Sequence, residues 1–308
     1  MEAEVTTAGA YEINFLYETE GLNWSAKHSI VYDEETRKIG SFETTVNVVN
    51  QSGTTFNNAN LWLLAGAVRE HGSALKASGY ARREAALTAD SATVESVGER
   101  KVYRVPGRVN VGDGQSRQIP LFTGNNVPVV HEYFMSASSH YGASTGLVPV
   151  NARLRLKNCL ADNLGTPLPA GIVKVYQRNS EHKLQLTASS QVKELAIDET
   201  FEIGIGTSSD VKAERTLVKS NRIAPTTQGT RTTPGQQAPE WENQEFSVKV
   251  HNFKEKKAVD VIIEVDVPAD QDDVQPLTRT SATEASGTVH VEAGKDAMLN
   301  YTLRVRVY

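Results

Sequence analysis

The amino-acid sequence predicts an all-β protein, because apolar residues recur at every second position in several segments. This alternation runs through residues 148–157, 246–250, 259–267 and 299–307. A period of two places successive side chains on opposite faces of a strand, which is typical of sheets with one buried face. Turn residues such as Asp113-Gly114 separate extended runs, and Asp-Gly is a strong hairpin signal.

The length of the chain favours more than one domain. Its 308 residues exceed the usual size of a single domain, so we predict two antiparallel β-sandwich-like domains, over residues 1–137 and 138–308. The boundary falls in a small, polar segment, 136–146. One long insertion (66–100) and one long exposed loop (224–240) interrupt the strands.

Composition limits the possible functions. The net charge is −5 and Lys and Arg are spread along the chain, so we expect no nucleic-acid partner. Cys159 is the single cysteine, which excludes an internal disulfide and a cysteine metal cluster. No apolar run approaches the roughly 20 residues of a transmembrane helix. No signal-peptide pattern is present, so we expect a cytoplasmic protein, or a periplasmic or cell-surface protein if a signal was removed.

In the N-terminal domain, the pattern predicts strands at 9–18, 27–33 and 38–50 and a buried strand at 59–64. Residues 51–58 are rich in Asn, Ser, Gly and Thr and predict a turn.

The segment 66–100 is rich in Ala, Ser, Glu and Arg, and two glycines within it weaken a helix. We predict an insertion that is partly helical at most and otherwise mobile. Strands follow at 102–105, 115–121 and 127–135.

The clearest local pattern lies between residues 147 and 187. Strands are predicted at 148–157, 172–176 and 183–186, joined by two polar connections. We predict that these strands pair as a three-stranded meander, the nucleus of the C-terminal domain.

Further strands are predicted at 200–205 and 211–218, before the loop at 224–240, which has three prolines and no hydrophobic period. The polar faces of the last three strands carry charges: Lys249 and His251 on the first, Asp260, Glu264 and Asp266 on the second, and Arg304 and Arg306 on the third. We expect cross-strand ion pairs with an architectural role.

Candidate catalytic patterns are incomplete. The segment 142–146 reads Gly-Ala-Ser-Thr-Gly and matches the nucleophile elbow around Ser144. That chemistry needs a strand before the serine and a helix after it, whereas this segment predicts a linker. Gly204-Ile-Gly206 lacks the third glycine of a dinucleotide-binding loop.

Candidate metal ligands are also scattered. The histidines form no H-E-x-x-H motif, and His131, Glu132 and His140 would need distant ligands to hold a metal; the set is His28, His71, His131, His140, His182, His251 and His290. Residues Asp270, Asp272 and Asp273 lack the glycine and glutamate of a calcium loop. We therefore predict no catalytic, cofactor-binding or metal-binding residue, and no cofactor.

Several segments share residues with a known family. They are Asn14–Tyr17, Leu22–Ala26, Ser29–Tyr32, Val46–Gly53, Val105-Pro106, Asp113-Gly114, Ile119–Phe122, Leu164–Tyr176, Glu214-Arg215 and Val250–Lys254. With these segments the chain resembles, over nearly its whole length, a bacterial domain of unknown function that forms the C-terminal part of mucoidy-inhibitor-like envelope proteins. The closest similarity is the Pro-Leu-Pro-Ala-Gly core of 164–176. The resemblance implies an exported, β-rich protein of Gram-negative-type bacteria and no particular reaction; longer relatives also have a signal peptide and a coiled-coil-bearing N-terminal half, which this sequence lacks.

These observations predict a non-catalytic module of the bacterial cell envelope that binds another envelope protein or a polysaccharide. The alternative is a hydrolase that acts on cell-wall or exopolysaccharide polymers, which would need two carboxylates about 5–10 Å apart in a cleft. Continuous sheet faces without such a cleft would favour the binding module. The sequence does not set the oligomeric state.

Overall fold

The structure is a computed structural model that describes residues 9–10, 15–65, 92–137, 145–223, 240–269, 271 and 274–307. Within them, β-strands dominate and the single helix is a 3-10 turn at Leu160–Asp162, which confirms the all-β class. In chain order the strands are β1 (Leu22–Asp33), β2 (Lys38–Asn50), β3 (Phe56–Ala59), β4 (Trp62–Leu64), β5 (Thr93–Val97), β6 (Arg100–Arg104), β7 (Val109–Val111), β8 (Gln115–Pro128), β9 (Val130–Ala137), β10 (Val148–Lys157), β11 (Gly171–Arg178), β12 (Leu184–Val192), β13 (Thr200–Ile223), β14 (Glu240–Asn252), β15 (Val259–Asp266), β16 (Thr278–Arg279), β17 (Glu284–Val291) and β18 (Asp296–Val307).

Packing divides the chain into two units that are interleaved in sequence. The smaller unit contains Met1–Ala26 and Thr45–Phe122, and the larger unit contains Lys27–Thr44 and Thr123–Tyr308. The strands β1, β2 and β8 contribute residues to both. The sequence predicts consecutive domains that meet near residue 138, yet β9 and β10 on either side of that position pair in one sheet. Alternation of apolar and polar residues predicts a strand, but it does not show which hydrophobic core each half of a long strand joins. The interleaving of the two units therefore cannot be predicted from the hydrophobic pattern.

The smaller unit has short strands around its own core. The strands β4, β6 and β5 form one sheet, and β3 pairs with β7. Tyr103 and Leu121 are buried at its centre beside Val46, Val48 and Val111.

Three predictions for the N-terminal part need correction. The segment 59–64 is not a buried strand, because Trp62 and Leu64 are 49% and 38% exposed and Leu63 alone of the β4 residues faces the core. The predicted insertion 66–100 is too long at its C-terminal end, because Thr93–Val97 forms strand β5. Residues 66–91 lie outside the described residues. Residues 15–18 form no strand, and 11–14 are likewise not described.

The larger unit contains an eight-stranded sheet with the order β16-β17-β15-β9-β10-β13-β14-β18. Its strands enclose one apolar core that includes Val150, Phe246, Ile263 and Leu303. The sheet folds over on itself, because a Cβ on Gly287 of β17 would lie 2.9 Å from Leu299 Cδ2 of β18, at the opposite end of the strand order. A second sheet has the order β12-β11-β1-β2-β8.

The predicted three-stranded meander is wrong for its first strand and confirmed for its last two. The strand β10 lies between β9 and β13, whereas β11 pairs with β12 in the other sheet. Buried Asn158 fixes the connection between the sheets: its side-chain amide donates to the carbonyls of Thr166 and Ala196, both at 2.9 Å, and accepts the Gly165 N–H at 3.0 Å. A polar anchor of this kind redirects the chain where a short turn would have returned it to β10.

The last strands form as predicted, but with other neighbours. The strand β14 pairs with β18, while β15 runs parallel to β9, so the sheets are not purely antiparallel. Parallel neighbours need a long crossover, and five strands separate β9 from β15 along the chain. The predicted charged residues make cross-strand contacts, but not with one another. Lys249 and His251 of β14 both contact Asp296 of β18, whereas Asp260 pairs with His290 of β17 and Glu264 with Arg153 of β10. The loop residues 224–239 lie outside the described residues, and Glu240 already belongs to β14.

Candidate functional site

Each of these two sheets has two edge strands, β16 and β18 in the eight-stranded sheet and β12 and β8 in the five-stranded sheet, and the edge of β18 is covered by a side chain. The strand β18 ends the eight-stranded order. The side-chain amide of Gln271 donates to the Thr302 carbonyl at 3.1 Å, and its oxygen accepts the Arg304 N–H at 2.8 Å. One side chain thus occupies the backbone positions that an incoming strand would use.

The strand β12 is an edge strand of the five-stranded sheet. It reads Leu-Gln-Leu-Thr-Ala-Ser-Ser-Gln-Val and contains no charged residue and no proline, the residues that commonly protect an edge. Residues 184–187 are all exposed, whereas Val192 is buried. Among the described residues, no strand pairs with the outer side of 184–187. The strand β13 approaches β12 nearer its other end, where a Cβ on Gly204 would lie 3.9 Å from Ser190 Oγ.

Apolar side chains surround this open stretch of β12. Leu184 and Leu186 are 49% and 52% exposed, and Ile172 on neighbouring β11 is 51% exposed. In the β11–β12 register, Leu186 lies opposite Tyr176 and Leu184 opposite Arg178. Because paired residues project to the same face, Leu184, Leu186, Tyr176 and Arg178 form one surface beside the edge, whereas Ile172 lies opposite Gln191, nearer the other end of β12.

A β-bulge limits the open stretch. The register passes from Val175–Ala188 to Tyr176–Leu186, which leaves Thr187 as the extra residue. The Thr187 hydroxyl donates to the Val175 carbonyl at 3.2 Å, so the side chain holds the bulge against β11. The available edge is therefore short, about four residues on the N-terminal side of the bulge.

The opposite face of the same hairpin borders a polar groove with a volume of about 1090 Å³. One side of the groove comes from the ends of β1 and β2 (residues 31–35, 40 and 41), and the other from the β11–β12 hairpin (residues 177–180, 182, 185 and 187). Gln177 and Gln185 are cross-strand partners in this lining. Within the described part of the chain, no hydrogen bond engages either side-chain amide.

Two carboxylates of the β1 side, those of Asp33 and Glu34, are already engaged, whereas the carboxylate of Glu35 in the same lining has no ion pair among the described residues. The amides of Thr36 and Glu35 donate to Asp33, and these bonds hold the pKa of its carboxyl below the ordinary value. Burial tends to raise the pKa of Glu34, but Lys257, 3.0 Å away, and Lys254 outweigh it, so this pKa is also lowered.

Tyr32 forms part of the groove and bonds to a histidine. Its hydroxyl lies 3.1 Å from His131 Nδ1, and burial raises the pKa of the phenol above its ordinary value. Burial also lowers the pKa of His131, so this imidazole is neutral at neutral pH. His131 and Glu132 are adjacent in a strand and project to opposite faces, and the structure does not bring them together as ligands.

Glu132 instead belongs to an ion-pair network on the eight-stranded sheet. Arg153 Nε lies 2.8 Å from Glu132 Oε2, and the same guanidinium contacts Glu264 at 2.9 Å and Glu202 at 3.3 Å. Arg155 binds the second oxygen of Glu132. Both oxygens of the buried carboxylate are therefore matched by cations, an arrangement that joins four strands rather than one that transfers protons.

His28 is a core residue. It is fully buried, with Nδ1 2.9 Å from Thr44 Oγ1 and Nε2 3.0 Å from the Pro169 carbonyl. Burial lowers its pKa to about 4.

The remaining residues considered from sequence do not converge. His251 bonds Asp296 and His290 bonds Asp260, on different strand pairs, and His182 lies at the tip of the β11–β12 hairpin. Cys159 is half-buried after β10 and its thiol donates to Asp162. Four of the positions considered, Ser144, His140, His71 and the Asp270–Asp273 turn (Gln271 apart), lie outside the described residues.

Four residues of the edge and the groove are not among those that the sequence predicts for a site: Leu184, Leu186, Gln177 and Gln185. The absence of charge in 184–192 was the available signal, but it becomes informative only once the strand order places β12 at an edge.

No helix in the described ranges is long and apolar enough to cross a membrane. The sequence matches no protein-family model and no curated protein, so the resemblance to mucoidy-inhibitor-like envelope proteins stays a prediction.

Proposed function

We propose that this chain is a non-catalytic, protein-binding module of the bacterial cell envelope, and that an extended segment of its partner adds to the edge of β12. The observation that carries the proposal is the uncharged, uncovered edge at residues 184–187, with two half-exposed leucines beside it. The envelope location rests on the resemblance of residues 164–176.

The backbone of an edge strand favours a polypeptide partner. Its outward N–H and C=O groups alternate along the strand, and another strand satisfies both kinds at once. Each such hydrogen bond contributes about 0.5–1.5 kcal/mol net. A four-residue edge therefore supports weak, reversible binding unless side chains add to it.

The side chains beside the edge define the chemistry of the partner. Leu184 and Leu186 offer apolar surface on one face, so a segment with apolar residues at every second position would bury them. The β12 edge carries no charge of its own to repel either sign. We expect a neutral, alternating segment and a micromolar Kd.

The hydrolase alternative lacks a comparable observation in the described residues. Glu132 has both oxygens paired with arginines, and Asp33 and Glu34 are held by backbone amides and by lysines. A glycosidase needs one carboxyl that keeps a proton and a second that is free to attack or to activate water.

Peptide selection tests the proposal. Ten-residue peptides displayed on phage would be selected on the full chain and then depleted on Leu186→Lys, which adds a charge beside the edge. We expect the remaining peptides to alternate apolar and polar residues and to bind Leu186→Lys at least tenfold more weakly than the parent. Met298→Lys is the matched control, because Met298 is 59% exposed on the covered edge strand β18.

Two outcomes would overturn the proposal. Peptides that bind the parent and Leu186→Lys equally would place the binding surface elsewhere. If sedimentation instead shows a dimer that Leu186→Lys abolishes and that excludes peptides, the occupant of the edge is a second copy of this chain rather than a partner segment.

A further inference from the structure

We propose that the polar groove of the larger unit binds a neutral oligosaccharide through the side-chain amides of Gln177 and Gln185. The groove and the apolar side chains beside the edge lie on opposite faces of β12, because Gln185 projects away from Leu184 and Leu186, although Gln185 and Thr187 belong to the stretch 184–187. The two surfaces can be tested independently.

The dimensions of the groove suit an extended ligand. Its volume of about 1090 Å³ is at the upper end of small-molecule sites. It lies between two hairpin ends and not inside a core, so a chain of several sugar rings can enter along its length.

Two polar side chains of its lining match hydroxyl chemistry. Gln177 and Gln185 lie opposite each other across β11 and β12, and each amide offers two donors and one acceptor oxygen. A sugar hydroxyl is both donor and acceptor, so a pair of neighbouring hydroxyls can bond both sides of one amide. Since no hydrogen bond within the described residues uses these amides, binding does not have to break an existing one.

The charges around the groove favour a neutral ligand. Lys257 and Lys254 neutralise Glu34, and the amides of Glu35 and Thr36 hold Asp33. On the other side, Arg178 donates to the carbonyl of His182 at 2.9 Å. Acidic and basic residues thus border the same groove. An anionic or a cationic ligand would be attracted by one border and repelled by the other.

The groove lacks an open aromatic platform in its lining, since the Tyr32 ring is only 1% exposed. Sugar binding would therefore rest on hydrogen bonds without ring stacking. We expect a Kd in the millimolar range for a hexasaccharide.

Nuclear magnetic resonance provides the test. The ¹⁵N-labelled full chain would be titrated with neutral hexasaccharides of glucose, mannose and N-acetylglucosamine, and with hexagalacturonate as an anionic comparison. We expect at least one neutral hexasaccharide to shift the side-chain amide signals of Gln177 and Gln185. Each substitution to Ala should weaken that binding about 2- to 10-fold, the equivalent of one lost hydrogen bond.

The chain offers a matched control in Gln191. It is an exposed glutamine on β12 that does not line the groove, and Gln191→Ala should leave sugar binding unchanged. Leu186→Lys should also retain it, which separates this site from the protein-binding edge. The proposal fails if no neutral hexasaccharide shifts the amide signals, if hexagalacturonate binds more tightly than all three, or if Gln177→Ala and Gln185→Ala bind as the parent does.

Discussion

The strands β18 and β12 are both the last strand of a sheet in the larger unit, and Gln271 covers only the first. Its side-chain amide donates to the carbonyl of Thr302 and accepts the N–H of Arg304, two backbone groups to which a neighbouring strand would hydrogen-bond. The outer groups of residues 184–187 in β12 have no such cover among the described residues, and the strand carries no charge. Exposed edges invite pairing with other chains, so Gln271 protects these two groups of β18, and residues 184–187 of β12 lack this protection.

The contrast also shows how little sequence is needed to close an edge. A single glutamine from the connection before β16 covers β18 at Thr302 and Arg304, while residues 184–187 of uncharged β12 have no such cover among the described residues. A prediction of binding surfaces from sequence must therefore identify the covering side chain as well as the strand.

Leu154→Ala should have the largest effect on stability, because it truncates a buried side chain of the eight-stranded sheet. Leu154 is fully buried on β10, between β9 and β13. Truncation should lower the free energy of unfolding by about 2–5 kcal/mol, because it removes apolar contacts and leaves a cavity. Urea denaturation followed by circular dichroism measures the loss.

Arg304→Glu is the surface control for that experiment. Arg304 is exposed on β18 and its guanidinium lies 4.6 Å from the Trp241 ring centroid. Loss of this contact should cost less than about 1 kcal/mol. If Arg304→Glu proved as damaging as Leu154→Ala, this face of β18 would have to be buried against another molecule.

The sequence predicts single strands well and their partners poorly. Lys38–Asn50 was predicted to the residue, since alternation is a local property of the chain. The pairing of β10 with β9 and β13 depends on contacts far apart in sequence, and buried Asn158, which directs the chain away from β10, has no pattern that distinguishes it from a surface asparagine.

The candidate site shows the same limit. Leu184 and Leu186 alternate with polar residues as core residues do, and only the structure shows that they are exposed and lie in an edge strand. The burial of His28, by contrast, can be predicted from the sequence. It lies an even number of residues from Ala26, Ile30 and Tyr32 in β1 and therefore projects to the same, buried face.

His28 should make the five-stranded sheet sensitive to acid. Its pKa is about 4 in the folded protein and about 6.5 when unfolded, so the unfolded chain binds the proton more readily. This contribution is complete above pH 6.5 and is lost as the pH falls toward 4. Between pH 7 and pH 4.5 the loss should be about 2–3 kcal/mol at this one site, measurable by urea denaturation at both values.

His28→Gln isolates this contribution. Glutamine can bond Thr44 and the Pro169 carbonyl but does not titrate, so the variant should lose about 2–3 kcal/mol less than the parent between the two pH values. His182→Gln, at the exposed hairpin tip, should behave as the parent. Equal acid losses in the parent and His28→Gln would assign the sensitivity to other groups.

Gln271→Ala should convert the covered edge into an open one. It removes two hydrogen bonds that water can replace, so the unfolding free energy should fall by only about 1 kcal/mol. The larger change is expected in hydrogen exchange, with the Arg304 amide exchanging faster, and in light scattering, with more self-association. Gln271→Glu keeps the acceptor for Arg304 and loses the donor to Thr302, and it should protect the Arg304 amide better than Gln271→Ala does. Unchanged exchange at Arg304 in Gln271→Ala would mean that another group covers β18.

Leu186→Lys should have the smallest effect on stability and the most direct effect on the open edge. Leu186 is 52% exposed, so the substitution buries no charge and the unfolding free energy should change by less than about 0.5 kcal/mol. A lysine beside the edge discourages strand pairing, because an incoming strand would have to desolvate the ammonium group. Concentrated samples of the variant should therefore scatter less light than the parent, while Met298→Lys on covered β18 should scatter as the parent does. A loss of more than 1 kcal/mol in Leu186→Lys would contradict the open edge, since it would show that Leu186 is packed against another part of the protein in solution and that residues 184–187 are not available to a partner.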